Sequence, residues 1–252
     1  MGKTKIVILT HDSIYSRQIF NKLINSDNIE IVGIVFSNCI MRRGKSGPLE
    51  YLYLLKKTGF RYTIYLSYVS FLLPLIKFSC INLKKYAKKH NIYFSESSNV
   101  NTKKIELELN RLKPDFILSF NFNQKVLKNT YIIPEIAAIN IHPSLLPDYR
   151  GVDPLLSARA RNETATGVSI HLIGDKMDEG DILKQREIAI GYKQNLIENY
   201  TQLFEIGAEM AEDVISNFED KYKNRQKQNP QEGCYYSWPD SSEYKQYLKT
   251  KF

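Results

Sequence analysis

Cysteine is scarce in this chain of 252 residues: Cys39, Cys80 and Cys234 are odd in number and far apart. That spacing excludes a disulfide framework and a zinc cluster of the CxxC kind, so no metal site is expected. It fits a reducing, cytoplasmic setting. No signal-peptide pattern opens the chain, because Met1-Gly2-Lys3-Thr4-Lys5 leads straight into an apolar run. No internal repeat is visible. Glycine is missing where a dinucleotide fold needs it most. The first strand-to-helix turn, ILTHDSIYS (8–16), contains none, whereas a GxGxxG turn is what lets backbone approach a pyrophosphate. NAD and FAD are therefore not expected.

What is present is an alternation of strand and helix patterns. KIVILT (5–10), IEIVGIVF (29–36), IYFS (92–95), DFILSF (115–120) and AAINIH (137–142) are apolar runs. Amphipathic or Lys-rich helical stretches at 13–25, 82–90, 102–112 and 154–161 separate them. Continuous apolar strands between helices mean a parallel sheet covered on both faces. The expected class is α/β, with a Rossmann-like, doubly wound, mostly parallel sheet. TGVSIHLIG (166–174) and ILKQREIAI (182–190) alternate more, as a more exposed or antiparallel edge would. Residues 194–222 read as one long helix, and the polar residues 221–252 as a short C-terminal arm on a catalytic domain of 1–220. The net charge of +8 suits an anionic partner, whether nucleic acid, a nucleotide-linked small molecule or a membrane surface. A Lys-, Asn- and Ile-rich composition alone would also produce it.

The stretch INIHPSLLPDYRG (139–151) breaks this pattern. Asn140 and His142 stand two apart, so in a strand they share a face, and Pro143 stops the strand directly after them. An amide donor and a titratable imidazole thus emerge together. A second stretch, GVSIHLIGDKMDEGDIL (167–183), ends a strand in a loop carrying Asp175, Asp178, Glu179 and Asp181. Acidic loops are usually solvated turns, so alone it is a weak signal. His11 and Asp12, at the carboxyl end of the first strand, could line a ligand crevice; helix capping by Asp12 or Ser13 is the plainer role.

Together the two stretches resemble the formyltransferases that use 10-formyltetrahydrofolate. NIHPSLLPDYRG matches the Asn-x-His-Pro-Ser-Leu-Leu-Pro motif without a gap, and Asp175-Lys176-Met177-Asp178-Glu179-Gly180 looks like the second motif. The resemblance covers roughly residues 4–220 and is strongest over 115–185. It implies a catalytic trio of Asn140, His142 and Asp178. It implies folate contacts at Phe122, Asn123, Gln124 and Val126, and at Gly174, Asp175 and Lys176. His171 takes a supporting rather than a direct role, and the Leu146–Pro147 bond is expected to be cis. Tyr149 and Arg150 are candidate substrate contacts, beside His11 and Asp12; Arg150 could pair with a phosphate or merely brace its loop.

The same resemblance leaves several acceptors open. The Gly-rich phosphate loop of the glycinamide ribonucleotide enzyme is absent from ILTHDSIYS. Few residues follow the core, against the large carboxy-terminal domain of the methionyl-tRNA enzyme. The expected acceptor is a nucleotide-linked amino sugar, such as a dTDP- or UDP-amino-dideoxyhexose, and the expected assembly a homodimer. A methionyl-tRNA formyltransferase-like enzyme with a truncated C-terminal domain is the rival, and a non-catalytic folate- or membrane-binding module the third reading. Finally, YTIYLSYVSFLLPLI (62–76) is uncharged. At 15 residues with Pro74 inside, it is short of the ~20 a membrane span needs. A buried or dimer-face helix is favoured over a lid or a helix lying on a membrane.

Overall fold

The computed structural model describes residues 2–11, 13–39, 48–73, 82–229 and 231–250. Strand β1 (Thr4–His11) shows why the early strands are apolar throughout. Ile6 and Ile8 point into one core with Phe20, Leu118 and Ile139, while Val7 and Leu9 point into a second with Val35, Ile105 and Ile117. A strand covered by helices on both faces has no solvent side to make polar. Helix α1 (Ile14–Leu23) follows, started by Ser13, whose Oγ accepts the Ser16 N–H. Then come β2 (Ile29–Ser37), α2 (Pro48–Thr58) and α3 (Phe60–Ser67), which runs on into a π-helical turn, Tyr68–Leu72.

The next elements are α4 (Leu83–Lys89), β3 (Tyr93–Ser97), α5 (Lys103–Leu112), β4 (Phe116–Phe120), α6 (Lys128–Tyr131) and β5 (Ala137–His142). Two-residue β6 (Arg150–Gly151) leads to α7 (Pro154–Ala160), β7 (Ala165–Leu172) and β8 (Ile182–Ala189). Among the described residues the main sheet has seven strands in the order β3-β2-β1-β4-β5-β7-β8. The pairings up to β4–β5 are parallel; β7 and β8 join antiparallel. This is the doubly wound, mostly parallel α/β sheet that the apolar runs demand, with the two alternating strands forming its antiparallel margin.

One segment differs from the sequence expectation, and two more gain definition. The helix read over 194–222 is α8 (Leu196–Ser216) followed by a separate α9 (Phe218–Lys223). At the break the Asn217 side chain donates back to the Asp213 carbonyl and carboxylate, competing with the helix ladder. The C-terminal arm is ordered against the core. β9 (Tyr235–Tyr236) pairs with β6, and α10 (Ser241–Lys249) buries Tyr244 and Tyr247. The buried side chains of α10 are tyrosines, so the arm reads as polar by composition. The uncharged stretch 62–76 is buried on one side only: Tyr62 and Val69 are inside, Ile64 and Leu72 exposed. Its residues 74–76 lie outside the described residues.

Leu118, fully enclosed at the centre of β4, tests this packing. Leu118→Ala is expected to cost about 2–5 kcal/mol, because the close-packed sheet cannot collapse on the space left. Urea unfolding reads it as a lower midpoint with the slope unchanged.

Candidate active site

The site lies where parallel strands end. The loops after β1 and β4 part on either side of a crevice, as expected where strand order reverses. The His11 N–H donates to the Asn121 carbonyl across it (3.0 Å). Asn121 in turn donates from Nδ2 to the hydroxyls of Ser13 (2.7 Å) and Ser16 (3.1 Å). A cavity of ≈ 270 Å³ opens there, and Asn140, His142 and Asp178 all line it.

The two motifs are brought together by the antiparallel strand. Asn140 on β5 is directly opposite His171 on β7, and His142 opposite Ser169. Asn140 Nδ2 lies 3.1 Å from His171 Nε2. His171 Nδ1 is 2.8 Å from the Leu172 carbonyl, which can only accept, so Nδ1 carries the proton and Nε2 is free to accept from Asn140. The same logic fixes His142: Nε2–H donates to the Tyr149 carbonyl (2.9 Å), leaving Nδ1 towards Asp178. Asp178 Oδ1 lies 3.8 Å from His142 Nδ1 and 3.6 Å from His171 Nε2, while Oδ2 accepts the Gly151 N–H at 2.9 Å. All three side chains of this carboxylate–imidazole group are buried.

Electrostatics follow from that burial. Burial alone would raise the Asp178 carboxyl, but the His142 and His171 imidazoles and the Gly151 N–H outweigh it and hold it down at about 2. Burial pushes His142 below its ordinary 6.5, only partly opposed by Asp178 and the Tyr149 carbonyl. At neutral pH the site holds a carboxylate beside a neutral imidazole. Two glycines permit the approach. Gly151 has φ +100°, and a Cβ there would lie 2.1 Å from the Tyr236 carbonyl oxygen; one on Gly180 would lie 1.8 Å from that of Leu172.

The other expected residues divide into those facing the cavity and those holding it. His11, Phe122, Asn123, Gln124, Val126, Gly174 and Lys176 line it. Gln124 is also a strut, donating from Nε2 to Ser37 Oγ and the Ser97 carbonyl (both 2.8 Å) and accepting the Val100 N–H. Asn123 donates to the Cys39 carbonyl at 2.6 Å. Asp175 is turned away to the Tyr131 hydroxyl (2.7 Å). Tyr149 and Arg150 do not line the cavity. Arg150 is buried, paired with Glu179 at 3.0 Å and donating to the Gly233 carbonyl, which is the bracing role. Asp12 lies outside the described residues. The Leu146–Pro147 bond is cis.

Sequence reasoning missed the far half of the cavity. Tyr15, Tyr62, Tyr65, Tyr200, Phe204 and Trp238 wall it, with Asp153 among them. Asp153 accepts from the Tyr62 hydroxyl (2.8 Å) and from that of Tyr200. Burial lifts its carboxyl to about 6, although the Tyr200 and Tyr62 hydroxyls pull the other way. An Asp before Pro154 reads as a helix cap, and tyrosines scattered over nearly two hundred positions carry no local signal.

A family described as formyl transferase matches residues 78–229. A methionyl-tRNA formyltransferase of Geobacter sulfurreducens is 33% identical over 153 residues, 61% of this chain and 48% of that protein. The chain spans about half the length of the curated methionyl-tRNA formyltransferases it matches. A sugar N-formyltransferase structure from a Shewanella species has TM-score 0.57 at 17% identity, covering 93% of this chain and 76% of that one. An N-formyltransferase structure from Helicobacter canadensis, in complex with folinic acid and dTDP-3-aminofucose, has TM-score 0.57 at 18% identity, covering 93% and 71%. At such identities the structural likeness is one of fold.

Two outcomes are expected. Gly151→Ala must move the β6–β9 pairing and withdraw the N–H from Asp178, at a cost of about 1–3 kcal/mol in thermal unfolding. The second concerns acid. The folded chain keeps His142 neutral below 6.5 while the unfolded chain takes up a proton, so stability falls as pH drops below 6.5. Asp178 contributes fully above 3.8 and its share is lost as pH falls towards 2. Urea midpoints of His142→Gln should therefore decline less between pH 6.5 and 5 than those of the unaltered chain; an equal or steeper decline contradicts the assignment.

Proposed function

Because the chain belongs to the formyl transferase family, we propose that it transfers the formyl group of 10-formyltetrahydrofolate to the amino group of a nucleotide-linked amino sugar. The observation that carries the chemistry is the convergence of Asn140, His142 and Asp178 on one cavity from two separate motifs. The cavity suits the donor: between the loops at 121–126 and 173–178, Phe122, Val126, Ile173 and Met177 offer apolar walls, with loop backbone at their edges. A flat, amide-bearing heterocycle fits such a lining. When bound, the folate supplies the one-carbon unit; the rest falls to the chain.

Asn140 uses one Nδ2–H on His171 and has a second for the formyl oxygen, which gains negative charge as the amine attacks. His142 Nδ1, neutral and unprotonated, accepts the proton the amine sheds and returns it to the folate nitrogen as the bond between that nitrogen and the formyl carbon breaks, so that tetrahydrofolate leaves and the imidazole is neutral again. Asp178, ionised throughout, stabilises the resulting imidazolium from 3.8 Å and keeps the ring oriented with the Tyr149 carbonyl. No nucleophile of the protein takes part. The aromatic half of the cavity supports a small cyclic acceptor: ring faces stack on a sugar, and hydroxyls and Asp153 meet its polar edge. The amine of methionyl-tRNA is the second reading, favoured by the sequence identity to the enzymes of that name.

Side-by-side assays with 10-formyltetrahydrofolate decide between acceptors. dTDP- or UDP-amino-dideoxyhexoses are expected to be formylated, with mass spectrometry as the readout; formylation of charged initiator tRNA alone would install the second reading. Folate binding without transfer to any amine would leave only a binding module. Asn140→Ala should lower kcat about 10²–10³-fold with folate affinity retained. kcat/KM should fall on the acid side, below 6.5, as His142 becomes protonated; a rise there would make the imidazolium the active form.

A further inference from the structure

The positive charge of this protein is concentrated in one segment. Residues 38–89 hold eleven Lys and Arg against one acidic residue, Glu50, a surplus of ten; with the whole chain at +8, everything else is slightly acidic. Glu50 is buried, so no carboxylate of α2 or α3 reaches the surface. On the same helices Lys56, Lys57 and Arg61 are exposed.

The outer faces of these helices are apolar. Leu49 is 78% exposed, Phe60 68%, Leu52 62%, and Ile64 and Leu72 51% each. On α2, Leu49, Leu52 and Tyr53 follow the i, i+3, i+4 spacing of one helix face. From α3 into the π-helical turn, Phe60, Ile64, Tyr68 and Leu72 recur every fourth residue. The inner faces are spent on the cavity, through Leu54, Tyr62, Tyr65, Leu66 and Val69. Most of the segment also precedes the residues that match the family, which begin at 78.

We propose that α2 and the α3–π helix dock this protein on an anionic lipid bilayer, outer faces down. Apolar side chains at the boundary of headgroups and acyl chains, with lysine and arginine meeting anionic headgroups, are what hold an interfacial helix. No helix among the described residues is long and apolar enough to cross a membrane, so these helices lie on the surface. Charge selects the bilayer over a second copy of the chain. A two-fold interface sets the same patch against itself, and this patch, with Lys56, Lys57 and Arg61 exposed and the carboxylate of Glu50 buried, would bring like charges together. Docking also sets the aromatic half of the cavity, walled by the inner faces of the same helices, beside the membrane.

Cosedimentation of the full chain with vesicles provides the test. Binding is expected to mixed phosphatidylcholine–phosphatidylglycerol vesicles at low salt, to weaken as salt rises, and to be far weaker on pure phosphatidylcholine. Phe60→Ser/Ile64→Ser and Lys56→Gln/Lys57→Gln should each reduce partitioning about tenfold or more, at roughly a factor of five per basic residue. Unchanged thermal midpoints and unchanged folate binding show that both variants remain folded. Absence of binding at low salt, or partitioning untouched by both variants, overturns the proposal. So does a concentration-dependent dimer abolished by the same substitutions, which would give the face to a second copy.

Discussion

A buried carboxylate organises this protein. Asp178 is ionised with almost no access to water, and a charge in that position persists only if the fold surrounds it with partners. The Gly151 N–H donates to it directly, and the imidazoles of His142 and His171 stand 3.8 and 3.6 Å from its other oxygen. Asp178 itself has φ +56°, a left-handed conformation uncommon outside glycine but tolerated by aspartate. The loop around it is pinned from a third direction by Gln228, whose Nε2 donates to the carbonyls of Asp178 (3.0 Å) and Gly180 (2.6 Å). The C-terminal residues are therefore part of the site's support.

The antiparallel strand does what a further parallel strand would not. It runs back beside β5 and sets His171 against Asn140, fixing the amide from behind. Its Ser169 hydroxyl donates to the Ser144 carbonyl (2.6 Å) and accepts the Leu146 N–H (3.1 Å), so the turn after His142 is tied to the same strand. In the proposed transfer, groups that meet developing charge act best when their positions are settled beforehand. Here each is fixed by backbone on one side and a second side chain on the other.

Helices α2 and α3 connect the cavity to the outside. Their inner residues wall the aromatic chamber, and their outer residues form the basic, apolar face. Substrate access and surface attachment would then draw on one structural unit. Asp153, with a carboxyl lifted to about 6 by burial, is tied to this unit through Tyr62 on α3 and to the core through Tyr200 on α8.

The sequence alone determined the class of fold and the pairing of Asn140 with His142. Unbroken apolar runs such as KIVILT and DFILSF require a sheet covered on both sides, and a period of two puts Asn140 and His142 on one face; both are local facts. The supporting role expected of His171 came from the family resemblance, since the alternation of its strand leaves its facing open; the structure sets it behind Asn140. Tertiary structure decided what depends on residues far apart. It turned Arg150 inward to Glu179, sent Asp175 to Tyr131, and folded the tyrosine-rich tail onto α7. It gathered Tyr15, Tyr62, Tyr65 and Tyr200 around Asp153 from positions with no common spacing. Periodicity reports which way a side chain points relative to its neighbours in the chain. Which other segment it then meets is set by how the layers pack, and no window of sequence contains that.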